Sequence, residues 1–263
     1  MTPDQLDRYS RHLLLPGFGV AAQERLLAAR VLIVGLGGLG SPVAMYLAAA
    51  GVGTLALADF DAVDRSNLQR QLLHHSGRIG QTKVDSACAT LSALNPEVRL
   101  EPIKRSLDAA RLAQLVPGVD LVVDASDNFS TRYAINAACQ AAGVPLVSGA
   151  AIRAEGQVAL FTGRPGGPCY RCLYPDDGSA GETCAREGVL APLVGIIGSI
   201  QATEAIKLLA GLGTPLFARL LLLDALTMTW RTLRIPADPA CPVCGGQGGG
   251  ASDGVCGAGL SQG

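Results

Sequence analysis

The sequence predicts an α/β fold in which a largely parallel sheet, with helices on both faces, is extended by antiparallel strands. Three observations carry this expectation. Short apolar runs alternate with helical segments as far as about Ala151. A glycine cluster follows the first of those runs and opens a helix. Beyond Ala151 the rhythm changes, and a strand-like run follows without an obvious crossover helix.

The elements come in order. Residues 4–15 and 21–30 have the spacing of two short helices. Residues 31–34 are a buried-strand run, and 42–50 an apolar helix after the glycines. Residues 54–59 give a second strand. Helical spacing over 83–94 is stopped by Asn95 and Pro96. Third and fourth strands fit 97–103 and 119–124. A helix over 128–142 ends at Gly143, which can adopt the left-handed cap conformation. Strands then fit 144–148 and 157–161. Residues 163–188 are rich in Gly, Pro, Asp and Cys without a period and read as a long loop. Residues 191–210 are helical, and 216–224 and 227–235 form the last strands. The expected organisation is one domain over 1–245 and a flexible Gly-rich tail over 246–263.

Composition narrows the function. Hydrophobic residues make up 49% of the 263 and charged residues 16%, which suits a large core and an apolar subunit interface. A net charge of −1 gives no general grip on nucleic acid or an anionic membrane. Asp4 and Asp7 stand where a secretory signal is basic and then apolar. The most apolar stretch, 220–226, is cut by Asp224, so no run of about 18 apolar residues is expected to span a bilayer. The expected setting is cytoplasmic. There, eight cysteines point to metal ligands or reactive thiols before disulfides.

The glycine cluster Gly35-Leu36-Gly37-Gly38-Leu39-Gly40 matches G-x-G-x-x-G between a strand and a helix. Such a turn lets backbone approach a phosphate at a helix N-terminus, as in Rossmann-like nucleotide-binding folds. Asp59 ends the next strand, where a carboxylate can reach a ribose hydroxyl. The motif alone fits NAD. Arg70, Lys83 and Asp127, each near a strand's C-terminal end, suit a triphosphate with Mg²⁺ better. Each also has an ordinary alternative: surface charges for Arg70 and Lys83, a strand-end cap for Asp59, a helix N-cap for Asp127. His74 and His75 read as surface or helix-end residues.

Two C-x₂-C pairs, Cys169/Cys172 and Cys241/Cys244, can together close a tetrahedral Zn²⁺ site. The 68 residues between the pairs exceed a small zinc finger's spacing, so a folded domain must bring them together. Redox-active or free thiols are the alternative. Cys88 and Cys139 lie among alanines on expected helices and read as core. Cys184 lies in the long loop beside Glu182 and Arg186, and Cys256 in the tail.

Several mutually spaced blocks resemble the ThiF/MoeB/HesA family of ubiquitin-activating-enzyme-like adenylyltransferases. They are Arg8-Tyr9-Ser10-Arg11 and the segments 34–40, 66–71, 80–83, 124–128, 145–153, 169–172 and 195–207. The resemblance implies ATP and Mg²⁺ as cofactors, held by Gly38, Asp59, Ser66, Asn67, Arg70, Lys83, Asp127 and Asn128. It implies a homodimer in which Arg11 reaches the partner's site; taken singly, Arg11 could merely pair with an acid. It implies a structural zinc on the four paired cysteines. Its expected substrate is a small ubiquitin-like sulfur carrier ending in Gly-Gly, such as the small subunit of molybdopterin synthase or a thiamine-pathway carrier. An external persulfide donor would then supply sulfur. In some relatives a cysteine near the position of Cys184 bonds covalently to the activated partner. Readings from other classes are an NAD-dependent oxidoreductase and a noncatalytic zinc scaffold.

Overall fold

A computed structural model describes residues 1–164, 166–175 and 188–245. The first half alternates as expected: β1 (Arg30–Val34), β2 (Thr54–Ala58), β3 (Arg99–Ile103), β4 (Leu121–Asp124) and β5 (Leu146–Ile152) pair in parallel. Then β6 (Glu155–Phe161), β7 (Arg219–Asp224) and β8 (Thr229–Arg234) continue the same sheet antiparallel. The strand order is β3-β2-β1-β4-β5-β6-β7-β8.

Each inner strand divides its side chains between two cores, because successive residues face opposite sides of a sheet. Val31, Ile33, Leu55, Leu57, Leu121 and Val123 pack under α3 (Gly19–Ala28), α4 (Gly40–Ala49), α5 (Lys83–Leu94) and α9 (Ala191–Ala210). Leu32, Val34, Ala56, Val122 and Leu146 pack under α6 (Ala109–Leu115) and α7 (Phe129–Ala142). Burial on both faces explains why these strands read as continuous apolar runs.

Several expectations are corrected. The helix over 4–15 breaks at Tyr9 into α1 (Pro3–Arg8) and α2 (Ser10–Leu13). Tyr9 is buried, and its hydroxyl accepts a hydrogen bond from Asn95 Nδ2 at 3.0 Å, so core packing overrides helix continuity. Helix α3 stops at Ala28 because Arg30 already pairs with Thr54 in the sheet. The α6 helix is absent from the sequence reading, although Asp108 caps it by accepting from the Arg111 amide. The long loop holds a short helix, α8 (Tyr170–Leu173). The β5 strand runs on to Ile152 because an antiparallel hairpin with β6 satisfies its backbone.

One exclusion also falls. By length and composition α9 could cross a membrane, with a mean hydropathy of 1.4 over its best window. Half of that stretch is buried in the fold. Leu193, Ile197 and Ala205 pack in the core, and Glu204 accepts hydrogen bonds from Lys207 Nζ and the Leu216 amide.

Candidate active site

Connections leave β1 toward β2 and β4 toward β5, on opposite sides, so a crevice opens where β1 and β4 lie side by side. The glycine turn follows β1 there. Gly35 has φ of +93°, and a Cβ on it would lie 2.6 Å from the Ala125 carbonyl oxygen, so only glycine lets this turn lie against the end of β4. A cavity of about 680 Å³ fills the crevice. Its wall includes Gly38, Asp59, Arg70, Lys83, Asp127 and Asn128. Six of the expected residues, from five separate segments, therefore meet in one place.

Local structure fixes each of them. Asp59 divides its carboxylate: Oδ2 accepts from the Leu36 amide and Oδ1 from the Asp61 amide, both at 2.8 Å. It holds the glycine turn and also lines the cavity. Lys83 is 5% exposed at the first position of α5, and its Nζ lies 2.7 Å from Asp61 Oδ2. Thr82, not Lys83, caps that helix, accepting from the Asp85 amide. This position excludes the surface-charge alternative for Lys83. Arg70 is partly buried and donates from Nη1 to the Ser66 carbonyl at 3.2 Å.

Ser66 and Asn67 lie one turn before Arg70, off the cavity wall. Ser66 gives its hydroxyl to Asp64 at 2.6 Å; with the Ser66 amide, that bond holds the Asp64 carboxyl below its ordinary range. The Asn67 side chain accepts from Gln71 Nε2 at 2.7 Å. Asp127 is exposed at the cavity lip, and Asn128, not Asp127, caps α7 by accepting from the Thr131 amide. Arg11 is exposed on α2 and lies on the wall of neither cavity described here.

Sequence reasoning missed three further wall residues: Gln71, Arg105 and Arg132. Arg132 is 5% exposed and donates from Nη2 to the Ser126 carbonyl at 2.6 Å, just before Asp127. Its position one helical turn after Asn128 was the available signal. A second cavity, of about 510 Å³, shares Asp127 and Arg132 with the first and is otherwise lined by residues such as Phe129, Tyr170, Tyr174 and Leu222. Burial pushes the Tyr170 hydroxyl up to about 12. The surface reading of His74 is also overturned. It is buried, with Nδ1 2.9 Å from Ser86 Oγ and Nε2 3.0 Å from the Leu36 carbonyl, while His75 is exposed.

The four paired cysteines converge, their sulfur atoms all within 4.8 Å of one another. Cys169 and Cys241 Sγ are 3.7 Å apart, and Cys172 and Cys244 Sγ 3.4 Å. Tetrahedral bonds of about 2.3 Å to Zn²⁺ set sulfurs roughly 3.7 Å apart, so this donor set fits the ion. At Cys241, burial acts to raise the thiol, but the amides of Cys244 and Val243 and the neighbouring thiols outweigh it and bring it to about 7. Cys139 is buried as expected and Cys88 partly so. Cys184, Cys256 and the 246–263 tail lie outside the described residues.

The ThiF family model matches residues 9–243. Molybdopterin-synthase adenylyltransferase of Escherichia coli (strain K12) is 50% identical over 245 residues, covering 93% of this chain and 98% of the relative. The sulfur carrier protein adenylyltransferase of Thermus thermophilus is 46% identical over 251 residues, covering 93% and 92%. Among solved structures, the microcin C7 biosynthetic enzyme MccB in complex with N-formylated MccA superposes with a TM-score of 0.82 at 25% identity, covering 92% of this chain and 76% of that one. With the crevice, the paired cysteines and these likenesses together, the chain belongs to the ThiF family and is an enzyme of its adenylyltransferase class.

Proposed function

We propose that the chain transfers AMP from ATP to the C-terminal glycine carboxylate of a small ubiquitin-like sulfur-carrier protein. The observation that carries this reading is the single cavity that gathers Arg70, Lys83, Asp127 and the glycine turn. The adjoining cavity meets it at Asp127 and Arg132. An extended peptide tail lying along Phe129, Tyr174 and Leu222 would bring its carboxylate to that border.

A carboxylate oxygen of the carrier attacks the α-phosphorus of ATP. The bond from that phosphorus to the β-phosphate bridging oxygen breaks, and pyrophosphate leaves with the electron pair. An acyl-adenylate remains on the carrier. No protein nucleophile is needed, so the chain's work is positioning and charge stabilisation. Arg70 and Lys83 steady the phosphates as charge moves onto pyrophosphate, and Asp59 faces the ribose. Ser66, Asn67 and Asn128 hold the flanking turns. Asp127 fits a role as Mg²⁺ ligand, because its carboxylate is exposed at the cavity lip; the bound ion adds neutralisation of phosphate charge. Arg11 enters the site of a second copy in a homodimer, in keeping with its place away from this chain's own cavities. Exposed Leu14, Leu15 and Val20 flank its helix and give such a dimer apolar surface to cover. Zn²⁺ on the four cysteines ties the end of the fold to α8. The setting is cytoplasmic. An external persulfide attacks the acyl carbon and AMP leaves; a second thiol of the donor then cleaves the resulting acyl disulfide, releasing the thiocarboxylate and leaving the donor as a disulfide.

The molybdopterin synthase small subunit is the favoured carrier, on the strength of 50% identity to an enzyme named for that substrate. Carrier-dependent exchange of labelled pyrophosphate into ATP, run over molybdopterin-type, thiamine-type and other Gly-Gly carriers, tests the reading. Exchange with the molybdopterin-type carrier at the highest kcat/KM is expected. Preference for a thiamine-type carrier would move the chain to that pathway, and exchange with none would overturn the proposal.

A further inference from the structure

The segment that carries Arg70 is riveted along α5, the helix that begins with Lys83. Thr90 Oγ1 donates to the Leu73 carbonyl at 2.9 Å, and Arg78 Nη1 donates to the Ser86 carbonyl and to Thr90 Oγ1. His74 adds a third rivet through Ser86 Oγ. Its other nitrogen goes elsewhere, to the Leu36 carbonyl inside the glycine turn. The opposite end of the same residue, the Leu36 amide, is held by Asp59 Oδ2. Leu36 is thus gripped at both its amide and its carbonyl, immediately before Gly37 and Gly38 on the cavity wall.

The chemistry assigns the proton. A carbonyl only accepts, so Nε2 carries the hydrogen and Nδ1 accepts from the Ser86 hydroxyl. That is the neutral imidazole. Burial, the largest influence, lowers the affinity of this ring for a second proton, and Lys83 and Arg78 act the same way against the opposing Leu36 carbonyl and Asp59.

We propose that His74 is a positioning residue for nucleotide binding, locking the glycine turn in register with the two segments that present Arg70 and Lys83. It touches no substrate. It fixes the distance between the backbone amides after Leu36 and the two cations, which must act on the same phosphate chain. A residue that served only the core would matter for folding and not for nucleotide affinity. The inference rests on the proposed nucleotide site, and the test separates the two.

Two variants divide the two bonds. His74→Gln places an amide donor at the reach of Nε2 and retains the Leu36 bond. His74→Asn is shorter and retains only the Ser86 side. Equilibrium binding of Mg·ATP to the full chain, without carrier, is measured beside thermal midpoint and zinc content. A buried carbonyl stripped of its donor predicts roughly a 10-fold weaker ATP affinity for His74→Asn, with His74→Gln within about 3-fold of wild type. Ser86→Ala, which spares the Leu36 bond, should also stay near wild type in ATP affinity whatever its midpoint. Equal ATP affinity of the folded Asn and Gln variants overturns the proposal. So does a larger loss in Ser86→Ala than in His74→Asn. If wild type itself binds no Mg·ATP, the nucleotide reading fails instead. If His74→Asn does not fold, His74→Met, which fills the space of Gln without a donor for the Leu36 carbonyl, takes its place: an ATP affinity roughly 10-fold weaker than that of His74→Gln supports the proposal, and equal affinity overturns it.

Discussion

At the scale of single residues, the proposed site divides cations assigned to phosphate from groups that hold loops. Lys83 spans both: it pairs with Asp61 across the turn after β2 and also lines the cavity. Lys83→Ala and Arg70→Ala should each lower carrier-dependent pyrophosphate exchange by roughly 10²–10³-fold, the scale of losing one preorganised transition-state donor. Circular dichroism should show both variants folded, because Arg70 is only partly buried and the alternative partner of Lys83, Asp61, is half exposed. Wild-type exchange in both folded variants would remove these cations from the mechanism. Cys184 makes a different prediction. Adenylation requires only ATP, Mg²⁺ and the carrier's carboxylate, so Cys184→Ala should keep exchange within a few-fold of wild type. Thiocarboxylate formation should also survive, since a persulfide can attack the acyl-adenylate directly. Normal exchange with abolished sulfur transfer in the same preparation would instead assign Cys184 a covalent role.

At the scale of elements, α7 links the two chemical features of the molecule. Its N-cap is Asn128, beside Asp127; Arg132 follows one turn later and Asn136 one turn after that. Asn136 accepts from the Tyr170 amide at 2.9 Å, within the first cysteine pair, and lies 3.5 Å from Cys169 Sγ. The cysteine cluster therefore braces the same helix that presents the cavity border. About one Zn²⁺ per chain is expected by metal analysis. Cys172→Ser and Cys244→Ser should lose the ion and lower the thermal midpoint, since zinc–thiolate sites contribute on the order of 10 kcal/mol of apparent binding energy. A metal-free protein with an unchanged midpoint and full exchange would refute a structural zinc. The placement of α7 also explains an ambiguity in the sequence. Asp127 and Asn128 are both good N-caps. Only the fold decides that Asn128 turns back to the Thr131 amide and leaves Asp127 exposed.

At the scale of the whole molecule, the proposal places Arg11 in the site of a second copy of the chain, and mixed dimers test it. Arg11→Ala and Asp127→Ala homodimers should each be nearly inactive in exchange. A mixed dimer has one site that takes Arg11 from one chain and Asp127 from the other, so up to one site per mixed dimer should recover. No recovery after proven subunit exchange would count against action in trans.

The architecture of the parallel half was legible because its signals are local. Burial on both faces writes β1, β2 and β4 as apolar runs, and Gly143 marks a helix end by the chemistry of its own backbone. The residues of the candidate cavity were legible for a related reason: the glycines, Lys83 and Arg70 stand at or after strand ends, where an open α/β sheet gathers such groups into one crevice. Tertiary structure decided the rest. Tyr9 breaks a helix because a pocket beside Asn95, 86 residues away in the chain, receives its side chain. The apolar α9 is a core helix because the sheet and the neighbouring helices α3 and α4 bury half of its most apolar stretch. His74 carries no local mark of its role, since a buried polar group takes its meaning from the partners the fold brings to it. Sequence alone thus determined which chemistry this chain holds. Packing between segments far apart in the chain decided which polar groups face the cavity and which hold it in shape.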